Sequence, residues 1–99
     1  MELLEIVKST KPEKKYMARF RTQSGRERTI HFGAAGMDDY TKTHDKAQRD
    51  RYRTRHAKDL NTTAGKSGVS AGALSFYVLW GDSTDMARNI TAYKRKFGL

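Results

Sequence analysis

Ninety-nine residues, with 20 Lys and Arg against 11 Asp and Glu, give a formal net charge of +9 and a sequence pI near 10.0, with no cysteine and a single proline. A chain this short forms one domain, residues 1–99, near the lower limit at which an apolar core alone sustains a fold. The missing cysteines exclude a disulfide framework, thiolate metal ligation and a cysteine nucleophile, and no apolar run approaches the ~18–20 residues that cross a bilayer.

The N-terminus, Met1-Glu2-Leu3-Leu4-Glu5, places acids where a signal peptide needs basic residues, so a soluble chain that keeps its own N-terminus is expected. Leu4 and Ile6 then alternate with Leu3, Glu5 and Val7 until Ser9-Thr10-Lys11-Pro12-Glu13 breaks the run. A second alternation sets Tyr16, Ala18 and Phe20 on one face against Met17, Arg19 and Arg21, the period of a half-buried strand. Thr22 to Arg26 reads as a hairpin turn leading to Arg28, Ile30 and Phe32, which alternate with Thr29 and His31. The first 32 residues therefore predict a three-stranded antiparallel meander with one apolar face.

After the small-residue turn Gly33-Ala34-Ala35-Gly36 the pattern becomes helical, over about 44–58. Thr43 is the expected N-cap, Asp45 favours the positive end of the helix dipole and pairs with Arg49 at i,i+4, and Arg53, Arg55, His56 and Lys58 favour the negative end. On a helical wheel Tyr52 and His56 form a narrow seam, with Lys46, Arg49 and Arg53 projecting on one flank and Arg51, Arg55 and Lys58 on the other. Leu60 to Ser70 reads as a loop. Ser70 caps a short apolar helix that stops at Gly81 and forms the central core element. Ser83 caps a last helix in which Met86, Ile90, Tyr93 and Phe97 make one apolar stripe; the helical pair spans about 71–97. The fold class is α+β, a meander followed by three helices.

Charge is concentrated in mid-chain, where residues 41–66 hold eight basic and three acidic groups, more than half of the excess. Such an excess points to an acidic partner: nucleic acid, an anionic membrane or an acidic protein surface. The basic helix lacks the broad apolar face that would bury in lipid headgroups. Arg49, Arg51, Arg53 and Arg55, with Lys46 and Lys58, form the candidate partner-binding set, extended by Arg19 and Arg21 on the hairpin. Arginine forks suit phosphate and carboxylate alike.

Signals for other chemistry are weak. Ala64-Gly65-Lys66-Ser67 is similar to the end of a phosphate-binding loop, but the glycine required five residues earlier is Leu60. His31, His44 and His56 are too widely spaced for a local metal motif, and Asp38-Asp39 or Asp82 and Asp85 read as turn and cap residues. No catalytic residue, cofactor, metal or small-molecule substrate is expected.

The run His31-Phe32-Gly33-Ala34-Ala35-Gly36, with Asp39-Tyr40-Thr41, His44-Asp45-Lys46, Arg49, Tyr52 and Arg55-His56, resembles the signature of a family of small basic proteins encoded by large double-stranded DNA viruses of algae and protists, approximately HFGAxGxxDYTxHKDxxRxxxYxxRH. Ala71-Gly72-Ala73-Leu74-Ser75 with Leu79-Trp80, and Tyr93 to Leu99, look like its later blocks. The chain departs from the pattern by an extra residue before His44 and by lacking the lysine between His44 and Asp45. The resemblance implies a virus-encoded, virion-associated protein without enzymatic activity, found in the particle and, during infection, in host cytoplasm or at assembly sites. In that setting small size and basicity favour a minor capsid or cement protein bridging acidic surfaces of other capsid proteins through the basic helix and hairpin. A virion protein contacting nucleic-acid phosphates with the same arginines is the alternative.

Overall fold

A computed structural model describes residues 1–99. Strands β1 (Glu2–Lys8), β2 (Lys14–Arg21) and β3 (Glu27–Ala34) form an antiparallel sheet in the order β1-β2-β3, and all the helices follow it. Tyr16 pairs with Phe32 and Ala18 with Ile30, so the alternating apolar positions of both strands share one face; Ala18, Phe20 and Phe32 are fully buried there. The β2–β3 turn closes through Thr22 and Arg26, with Gly25 at φ +86°. β1 departs from simple alternation. The register shifts between Leu3 and Glu5, leaving Leu4 as an extra residue, so Leu3 opposite Phe20 and Ile6 opposite Ala18 both face the core. Leu3, rather than Leu4, is therefore the buried residue at this end of the sheet.

The helical part has more pieces than the three helices expected. A single turn, α1 (Tyr40–Thr43), is capped by Asp39 and ends at His44, which takes a left-handed conformation. α2 (Lys46–His56) follows, capped by Asp45, whose carboxylate accepts from the Gln48 amide; Thr43 ends α1 instead of starting α2. With its carboxylate spent on that cap, Asp45 makes no ion pair with Arg49, which turns to Asp50. The basic helix expected to reach residue 58 stops at His56 and gives way to a 3-10 turn (Ala57–Asn61), and the stretch expected as a loop from Leu60 to Ser70 holds α3 (Thr63–Ser67). Ser70 caps α4 (Ala71–Leu74), as its position suggested, and the segment continues as a π turn (Ser75–Leu79). α5 (Met86–Phe97) is capped by Asp85, while the Ser83 hydroxyl accepts from the Asp85 amide just ahead of the helix.

The α4–π segment lies between the sheet and α5, and Leu74, Val78, Leu79 and Trp80 join Phe20, Phe32 and Tyr93 in one core. Close approach at the sheet end depends on Gly33. At φ +79° its missing side chain would lie 2.8 Å from Leu79 Cδ1, so both backbone and packing require glycine there. Two buried polar groups complete the core. Asn89 donates to the carbonyls of Val78 and Ser83 and accepts from the Ser83 amide, fixing the turn between the π segment and α5. Tyr93 donates to the Gly68 carbonyl at 2.6 Å.

Burial pushes the Tyr93 phenol well above its ordinary value. The folded chain then holds that proton more tightly than the unfolded chain, so its contribution to stability is complete below about pH 10 and is lost as pH rises beyond it. Urea midpoints measured from pH 7 to 11 are expected to fall above pH ~10. Tyr93→Phe should cost about 1–2 kcal/mol at pH 7 through the orphaned carbonyl and flatten the alkaline decline.

Candidate functional site

The basic helix α2 has no fully buried residue, so its docking rests on partly buried side chains. Tyr52 is the centre of that contact. Its ring stacks on Trp80 at 4.3 Å and 8°, and on His56 at 4.1 Å and 22°. Two rings at those separations must occupy opposite faces of Tyr52, so the three form a sandwich running from the core outward. His56 Nδ1 lies 2.8 Å from Asp59 Oδ2, which orients the outermost ring. Burial raises the Tyr52 pKa, with the Asp59 charge adding to the effect.

Arg49 and Arg53 stand beside this seam, and the structure turns them inward. Arg53 Nε donates to the Trp80 carbonyl at 2.7 Å, and its terminal nitrogen pairs with Asp82 at 2.9 Å. The Arg49 guanidinium sits 4.8 Å from the centre of the Tyr40 ring, donates to Asp50 and reaches the Asp82 carbonyl. A guanidinium can do this because its stem packs on apolar surface while its fork satisfies carbonyls. The flank read as projecting is thus mostly the docking flank of α2. Lys46, Arg51, Arg55 and Lys58 are exposed and in no ion pair; Arg51, Arg55 and Lys58 keep one flank basic, while Lys46 is all that projects from the other.

The hairpin arginines lie elsewhere, on the outer face of the sheet. Arg19 bridges Glu5 on β1 and Glu27 on β3, both at 2.5 Å, and Arg21 pairs with Glu2 at 2.7 Å. Hydrogen bonds donated to Glu5 and Glu27 raise the Arg19 pKa, and the bond that Glu2 accepts from Arg21 lowers the pKa of that carboxyl. The cross-strand register places these acids opposite or diagonal to the arginines, so the charges cancel within the sheet and do not extend the α2 face.

A cleft of about 550 Å³ opens between the β3–α1 connection and α2, lined by Gly36, Met37, Asp38, Gln48, Tyr52, Arg55, His56 and Trp80 among others. One wall is an ion pair that no local sequence signal announces: Lys15 Nζ donates to Asp39 Oδ2 at 2.6 Å, with the two side chains only 12% and 2% exposed. Asp39 Oδ1 accepts from the Thr41 amide and hydroxyl, so the buried carboxylate is fully used. His56 has Asp59 as its hydrogen-bonded partner, and no three His, Asp or Glu side chains come together as a metal site requires. Ala64 to Ser67 is helical: the Gly65 amide binds the Thr62 hydroxyl and the Lys66 amide the Thr62 carbonyl, so neither is free to hold phosphate. No helix is long and apolar enough to cross a membrane.

β2, β3, α1, α2 and all but the first two residues of β1 lie within a stretch matched by a family model. Residues 4–56, just over half of the chain, match the Family of unknown function DUF5754. The chain belongs to this family. No curated protein and no solved structure matches it. The matched stretch ends at His56, so the ring sandwich joins two family residues, Tyr52 and His56, to Trp80 in the portion that follows.

Arg53→Ala should lower stability by about 2 kcal/mol, because it removes a charged donor and orphans the Trp80 carbonyl. Arg51→Ala and Arg55→Ala should each stay within about 0.5 kcal/mol of the parent. Denaturant midpoints of the three variants check this division of the helix.

Proposed function

We propose that the protein is a non-enzymatic structural protein of a virus particle, a minor capsid or cement protein that docks on acidic surfaces of neighbouring capsid proteins through the outer face of α2. The observation that supports this reading most is the sorting of cations along that helix and the 3-10 turn after it: Arg49 and Arg53 serve the fold, while Arg51, Arg55, Lys46 and, on the turn, Lys58 remain exposed without partners. Arg51 and Arg55 are a like-charge i,i+4 pair, an arrangement that costs an isolated helix a few tenths of a kcal/mol and that an acidic neighbour relieves. Arginine forks grip carboxylates in pairs, and such rim charges supply orientation and fast encounter more than tight binding.

The virion setting rests on the signature resemblance at residues 31–56. The same side chains suit phosphate oxygens, so a genome-contacting virion protein is the second reading. Particles purified and stripped of DNA are expected to retain stoichiometric copies of the parent protein in the shell, and to lose a variant carrying Lys46→Gln, Arg51→Gln, Arg55→Gln and Lys58→Gln. Recovery of the parent only with the nucleoprotein core would overturn the capsid reading. In that event duplex affinity should fall steeply with salt, and the variant should reduce the log–log slope by roughly 0.9 for each phosphate it no longer neutralises.

A further inference from the structure

A second cationic site lies away from the outer face of α2. Lys11 in the β1–β2 turn stands between Lys8 at the end of β1 and Lys14 at the start of β2, and the fold brings Lys42 of α1 beside them, so that the four ammonium-bearing chains line one cleft of about 480 Å³. None of the four makes an ion pair. Glu13, the carboxylate of that turn, does not line the cleft. Lys15 and Asp39 also line it, but they neutralise each other, and the Asp39 oxygens are already occupied by Lys15 and Thr41. The cleft therefore holds four uncompensated positive charges, whose mutual repulsion a bound polyanion would offset.

The attachment points are fixed even though lysine stems are flexible. The Ser9 amide binds the Lys15 carbonyl, the Lys14 amide binds the Lys11 carbonyl, and the Ala35 amide ties the turn to the end of β3 through the Glu13 carbonyl. Pro12 further restricts the turn. The volume falls within the range of small-ligand sites, about 300–1,000 Å³. Its lining supplies point charges and one tyrosine, Tyr16, which already packs against Phe32 in the sheet. That chemistry recognises charge density, with no array to read a nucleobase.

We infer that this lysine cleft binds a chain of linked phosphoryl groups, two or three phosphates long, as in inorganic pyrophosphate and tripolyphosphate or the tail of a nucleotide. The inference is independent of the α2 interface, because the two use different residues. Calorimetric titration of the full chain at low salt with orthophosphate, pyrophosphate, tripolyphosphate and ATP tests it. Tripolyphosphate is expected to bind saturably and more tightly than orthophosphate, with ATP comparable to tripolyphosphate. The triple variant Lys11→Gln, Lys14→Gln, Lys42→Gln should weaken tripolyphosphate by at least about tenfold, while Arg51→Gln with Arg55→Gln should change it less than about threefold. Amide shifts on titration should centre on residues 9–15 and 42. Equal weakening by the two variants, absence of saturable binding, or a preference for ATP over tripolyphosphate beyond about tenfold would each overturn the assignment.

Discussion

The position of α2 rests on a single seam, because a helix with no fully buried side chain cannot be held by an apolar stripe. Tyr52 between Trp80 and His56, with the Arg53 fork on the Trp80 carbonyl, takes the place that leucines hold in other helices. That seam fixes the rotation of α2 about its own axis. Rotation in turn decides which arginines become internal ligands and which face outward, so the chemistry of the exposed surface follows from where three rings stack. Trp80 can serve as the base because the π turn and Asn89 hold it at the end of the core segment.

The Lys15–Asp39 pair plays the corresponding role on the other side of α1. It is a buried ion pair, costly to desolvate and therefore useful only with its remaining oxygen satisfied, which Thr41 provides. Standing between the two clefts, it ties β2 to the start of α1 and keeps the Asp39 charge from cancelling the neighbouring lysines. Most of the signature is thereby accounted for by folding: Gly33 for the approach to Leu79, Asp39 as cap and ion-pair partner, Tyr40 under Arg49, and Tyr52 and His56 in the sandwich. Arg55 stands apart from this set, since it lines the cleft between the β3–α1 connection and α2 and remains exposed.

The meander, its inward residues on β2 and β3, the Ser70 cap and the α5 stripe were legible because each depends on a short period or a local motif: alternation, a side chain reaching three residues on, or contacts at i, i+4 and i+7. Bulge placement at Leu4 was not, since Leu3-Leu4 offers two equally apolar choices and only pairing with Phe20 selects one. Segments of one or two turns, such as α1 and α3, are shorter than the period that would reveal them. Lys8, Lys11 and Lys14, in and beside the β1–β2 turn, stand close together in the sequence, but Lys42 joins them only through the fold.

Composition and pattern by themselves determined that this is a basic single domain of sheet followed by helices, with its charge excess in mid-chain and its apolar residues sufficient for one core. Tertiary structure alone decided what each charge is for. A guanidinium has the same charge in every arginine, and its role depends on the groups within a few ångströms: glutamates across the sheet for Arg19 and Arg21, a carbonyl and Asp82 for Arg53, and solvent for Arg51 and Arg55. Those neighbours come from strands and turns distant in the chain, so no window along the sequence contains them.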